Sequence, residues 1–107
     1  MVSYLPRGGH ARGPQRTLRA VLDDAAAIVL PVPRFAHSVT LLGTVPPATF
    51  TLEQYRDQAA TFLVAKTLIP AMPPFYEVPI TNESRYVKIT NTSGSAQRMS
   101  AIFQLLG

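Results

Sequence analysis

The chain has 107 residues, 15% of them charged, a formal net charge of +4 and no cysteine. That length allows one modest hydrophobic core, and the lack of cysteine excludes a disulfide scaffold, a thiolate metal site and a cysteine nucleophile. The charged share lies well below the roughly 25% typical of soluble domains, which implies a surface that is partly apolar and uncharged.

The charge is unevenly placed. Arg7, Arg12, Arg16 and Arg19 all precede the first acid, Asp23, whereas from residue 20 onward six basic and six acidic residues cancel. Met1 to Pro14 also holds two prolines and three glycines, with few large apolar side chains. Residues 1–15 therefore read as a basic extended arm, and residues 16–107 as the folded domain. Such an arm buries too little surface to offset its ordering entropy, so it is expected to be disordered alone and to order on a partner. Tyr4, Leu5, Arg7, Arg12 and Arg16 form the expected docking strip. Four arginines would suit phosphates, but Tyr4 is the arm's one aromatic and the rest of the domain is neutral. An acidic protein groove, met by bidentate carboxylate contacts, is preferred to nucleic acid. Met1 to Arg19 has no apolar h-region, so no secretory signal is expected. The longest apolar stretch, Ala25 to Val32, is cut by Pro31, so no membrane span is expected either.

Ten prolines leave little room for long helices. Arg16 to Leu22 reads as a strand turning at Asp23-Asp24 and pairing with Ile28 to Val32, in preference to a helix over Leu18 to Ala27. Pro31 demotes Ile28–Val32 to a sheet edge or an early stop. Ser38 to Leu42 follows, closed by Gly43 and Pro46-Pro47. Thr49 to Leu52 alternates, as does part of Thr61 to Leu68. Thr51 with Gln54 also resembles a capping box before Tyr55, Ala59, Phe62 and Leu63, so a short helix stays open there. Pro70, Pro73 and Pro74 break the chain before a strand over Phe75 to Ile80. Arg85 to Thr90 places Val87 and Ile89 on one face. Turn chemistry spans Asn91 to Ser95, and Arg98 to Leu105 places Met99, Ala101, Phe103 and Leu105 inward. This last pair is expected to form a hairpin, with Ile102 and Leu106 facing a neighbouring subunit or the margin of the second sheet. Seven to eight short strands at about ten-residue spacing predict an all-β chain, a β-sandwich of jelly-roll or Ig-like type.

Positive signs of catalysis are absent. His10 and His37 have no second ligand at metal or triad spacing and read as surface or turn residues. Asp23-Asp24 reads as a turn rather than a calcium site. Glu53 and Asp57 stand four apart, yet Glu53 could equally pair with Arg56. Gly8-Gly9 precedes no strand–helix unit. The expectation is no enzyme, no catalytic residue, no cofactor and no metal.

Three stretches, Ile28 to Val39, Tyr86 to Gly94 and Ile102 to Leu105, resemble small β-sandwich capsid decoration (cement) proteins of tailed bacteriophages. The resemblance covers about a quarter of the chain. It implies a virion structural protein, assembled in the host cytoplasm, that sits on the outer capsid lattice. Its partner would be the major capsid protein, and it would act as a homo-oligomer, a trimer being one arrangement. The alternative is a carbohydrate- or receptor-binding sandwich of a head fibre or tail. Such a site wants exposed aromatics with amide or acid groups in one concave patch, whereas the chain lacks tryptophan and scatters Tyr4, Tyr55, Tyr76 and Tyr86.

Overall fold

A computed structural model describes residues 15–43, 49–69 and 75–105. They form eight strands: β1 (Gln15–Leu22), β2 (Ala27–Pro31), β3 (Ala36–Gly43), β4 (Phe50–Tyr55), β5 (Leu63–Ile69), β6 (Phe75–Pro79), β7 (Tyr86–Asn91) and β8 (Gln97–Leu105). Two four-stranded sheets result, ordered β1-β8-β3-β6 and β2-β7-β4-β5, with every pairing antiparallel. The pairs β1–β8, β2–β7, β3–β6 and β4–β5 nest like one long hairpin wrapped round itself. That is a jelly roll, which decides between the two sandwich types left open by the sequence.

Each strand earns its place by alternation. In β4, Phe50, Leu52 and Gln54 point inward while Thr51 and Glu53 face out, and in β7 the inward set is Val87, Ile89 and Asn91. In β8 the inward set is Gln97, Met99, Ala101 and Phe103. These faces meet Leu22, Leu30, Val39, Leu41, Ile69 and Val78 in a single core between the sheets. The helix left open after Thr51 does not form. Thr51–Gln54 lies within β4, and residues 56–62 are a loop. The edge strands β2 and β6 carry Pro31 and Pro79, which lack the N–H an incoming strand would need.

Two pairings expected from the sequence are corrected. β1 does not pair with β2 but with β8, from Gln15↔Gln104 to Leu22↔Gln97. Nor do β7 and β8 form a hairpin: β7 lies between β2 and β4, and β8 lies between β1 and β3. Alternation specifies which face of a strand is buried, and both strands do bury the faces assigned to them. It does not specify the neighbour. Here the chain crosses from one sheet to the other, and Asn91 pins the crossing. Its fully buried amide nitrogen donates to the carbonyls of Leu22 (2.9 Å), Asp23 (3.2 Å) and Ser95 (2.8 Å), and its oxygen accepts from the Ser93 N–H (2.9 Å). Gly94, at φ +85°, completes the turn. Ile102 is half-buried, opposite Thr17 and Thr40, and Leu106 lies outside the described residues.

Candidate functional site

Nested pairing sends alternate loops to opposite ends of the sandwich. The β2–β3, β4–β5 and β6–β7 loops gather at one end, and the start of β1 lies there too, since Gln15 and Ser38 both face Gln104. An open cleft of about 520 Å³ occupies this end, within the range of small-ligand sites. Its walls are Val32 to His37 on one side and Ile80, Thr81, Asn82, Ser84 and Arg85 on the other.

The first wall is built from two uncommon backbone features. The Ala36 N–H donates to the Pro33 carbonyl (3.2 Å), closing a tight turn that puts Phe35 at φ +66°. For a residue with a Cβ that conformation costs about 1–2 kcal/mol, and glycine or asparagine is the usual occupant. The strained residue is also 64% exposed, so burial of its ring does not offset the strain. The Arg34 guanidinium lies 5.2 Å from the centre of the Phe35 ring, a cation–π distance. Two residues on, β3 bulges: Ala36 faces Leu105 and Ser38 faces Gln104, leaving His37 as the extra residue. Bulges re-aim side chains, and His37 is exposed and lines the cleft.

The second wall is held from beneath. Gln54, inward on β4 and 2% exposed, donates from Nε2 to the Pro79 carbonyl (3.1 Å). Its Oε1 accepts from the Thr81 N–H (3.1 Å) and the Ser84 hydroxyl (2.6 Å). Backbone bonds from Ile80 to His37 (2.9 Å), Arg85 to Tyr55 (2.8 Å) and Val32 to Arg85 (2.8 Å) tie this wall to β3, β4 and the first wall. Arg85 Nη1 donates to the carbonyls of Asn82 (2.9 Å) and Ser84 (3.2 Å), fixing one arm of its fork.

The adjoining β4–β5 loop satisfies its own acid. Asp57 accepts from the Thr61 N–H, the Thr61 hydroxyl and the Phe62 N–H. The Thr61 hydroxyl is the main cause of a carboxyl held below its ordinary range, with the Phe62 amide adding to it. Burial pushes the Tyr55 phenol upward, reinforced by Glu53. Arg56 pairs with Glu83 at 3.6 Å, not with Glu53 as the sequence allowed. Among the described residues no group of three or more His, Asp or Glu is placed to hold a metal ion.

Of the arm residues singled out in the sequence, Tyr4, Leu5, Arg7 and Arg12 lie outside the described residues. Arg16 is exposed within β1, opposite Phe103, so β1 begins one residue inside the expected arm. Sequence reasoning missed Arg34, Phe35, Asn82 and Arg85 because they come from two distant loops. A Pro-Arg-Phe-Ala-His run between two strands was the available signal.

No family model and no curated protein matches the sequence. Among solved structures, the chain is similar to the lectin domain of lectinolysin complexed with Lewis B antigen. The TM-score is 0.58 at 15% identity, over 85% of this chain and 72% of that one. A protein from the structure of Bacillus endospore appendages, a family of disulfide-linked pili, aligns over 100% of this chain and 99% of its own, with a TM-score of 0.44 and 12% identity. The lectin domain likeness supports the β-sandwich fold.

Proposed function

We propose that this chain is a non-enzymatic recognition module that binds a glycan in the cleft at the β2–β3 and β6–β7 end. The observation that carries the reading is Phe35, an exposed aromatic held in a strained turn at the rim of a cleft. Ala25 and Ala60 also have positive φ, but of the three only Phe35 combines it with a large exposed ring at a cleft, the combination expected where strain serves binding. A sugar ring offers an apolar C–H face for an aromatic surface and hydroxyls for planar polar groups. Phe35 supplies the first, and Asn82, His37, Arg34 and Arg85 supply the second. The concave patch demanded of a carbohydrate site thus comes from a phenylalanine and loop residues, not from the scattered tyrosines. A module of a head fibre or tail would use such a site to reach a cell surface. The test is a glycan array probed with the labelled protein and with Phe35→Asn. Binding by the first and not the second is expected; an array silent to both sinks the reading.

Capsid decoration is a second reading, favoured by a different observation. Val21, Phe35, Phe62, Leu63, Leu68 and Phe75 are each more than half exposed on a sparsely charged surface, as a protein covered on assembly would display them. In this reading the arm strip from Tyr4 to Arg16 docks on the major capsid protein, and repeated copies make weak contacts lasting. Deleting residues 1–14 would then leave a folded domain that no longer sediments with capsid shells. Unchanged co-sedimentation would dismiss the arm as the docking element.

A further inference from the structure

The lining of the cleft is one-sided in charge. Among the described residues that form it, Arg34 and Arg85 are cations and no carboxylate is present. The acids nearby are engaged elsewhere. Glu83, within the same loop, pairs with Arg56. Glu77 accepts from the Ser38 hydroxyl at 2.7 Å, and Asp57 is surrounded by Thr61 and Phe62 donors. The two arginines are also prepared in different ways. Arg85 uses Nη1 on the Asn82 and Ser84 carbonyls, which leaves Nε and Nη2 for an incoming oxyanion. Arg34 stands over the Phe35 ring and has no ion-pair partner among the described residues.

Resting on the glycan reading, we infer that the ligand is an acidic saccharide, carrying a carboxylate or sulfate that Arg34 and Arg85 hold while its ring lies against Phe35. Guanidinium groups match either anion through paired N–H donors. A neutral sugar would make no use of either charge. His37, re-aimed by the bulge, and Asn82 remain for the ring hydroxyls. The cleft's size, about 520 Å³, is enough to seat one or two sugar units.

The experiment titrates the ¹⁵N-labelled full chain with lactose, sialyllactose, a heparin tetrasaccharide and inorganic phosphate, at low and at raised salt. At least one acidic saccharide is expected to bind about tenfold more tightly than lactose at low salt, shifting the amides of residues 34–37 and 80–85, with the advantage shrinking as salt rises. Arg34→Gln, whose side chain makes no fold-supporting hydrogen bond among the described residues, should lower that affinity about tenfold at an unchanged melting temperature. Sialyllactose preference identifies the carboxylate, and heparin preference the sulfate where a desulfated heparin tetrasaccharide, which keeps its uronate carboxylates, loses it. Lactose binding the cleft as well as both acidic probes would overturn the acidic ligand while leaving the glycan reading intact. Phosphate binding as tightly as the best saccharide would overturn it in favour of a bare anion site. No saccharide shifting the cleft would overturn both.

Discussion

Replacing Gln54 with leucine isolates the support beneath the cleft. Leucine fills nearly the same volume, so little cavity forms, and the loss is one of hydrogen bonds. Three disappear: Nε2 to the Pro79 carbonyl, and Oε1 from the Thr81 N–H and the Ser84 hydroxyl. Each contributes about 0.5–1.5 kcal/mol net, and a buried group left unpaired adds to that. Two features soften the loss. The Ser84 hydroxyl keeps the Thr81 hydroxyl as a partner at 2.7 Å, and Thr81 is exposed enough for water to reach its amide. The expected destabilisation is therefore about 2–3 kcal/mol, a large fraction of the stability of a small domain. Urea unfolding should show it as a midpoint lower by about 1–2 M with the slope preserved. Amide exchange at Thr81 should quicken more than exchange at Val39 or Leu41 in the core, because the damage is local. A midpoint shift equivalent to less than about 0.5 kcal/mol, with Thr81 still protected, would refute the claim that Gln54 holds the β6–β7 loop.

Other outcomes follow from single residues. Asn91→Ala removes the amide that ties the β7–β8 crossing to Leu22, Asp23 and Ser95, all at a fully buried position; a loss of about 3 kcal/mol or more is expected in the same urea assay. Phe35→Asn relieves a positive φ, so its melting temperature should equal or exceed that of the parent while glycan affinity falls, a combination that a merely structural phenylalanine would not give. The depressed Asp57 carboxyl makes a stabilising contribution that is full above the unfolded chain's carboxylate range and is lost as pH falls through the folded value. The stability gap between the parent and Asp57→Asn should accordingly be widest near neutral pH and close in acid. A gap that stays constant with pH would show that the Thr61 and Phe62 contacts do not favour the charged form.

Strand positions and buried faces were readable because alternation is local: Val87, Ile89, Met99, Ala101 and Phe103 all point where their spacing places them. Pro31 likewise marked an edge, since a proline lacks the N–H that a central strand needs. Pairing was not readable. Gln15 meets Gln104, and nothing within either segment encodes the other; the usual short-range preference for hairpins favoured the wrong neighbours twice. The helix left open by the capping-box resemblance at Thr51–Gln54 does not form for a related reason, because Gln54 bonds the loop beneath the cleft rather than a helix end. As for the candidate site, His37 was visible as a lone histidine, and Phe35 lay unremarked two residues before it. The features that make them a site, a positive φ, a bulge and a facing loop, are properties of the folded chain. Gln54 shows the same limit, because an inward glutamine on an apolar strand face gains meaning only from the loop it meets.

The most direct test of the account is where a bound saccharide perturbs the amide spectrum. The account predicts that the best glycan from the array shifts a contiguous set within residues 34–37 and 80–85 and leaves residues 23–26 and 92–96, at the opposite end, unmoved. Shifts confined to that opposite end, or to the outer faces of β5 and β6, would contradict it.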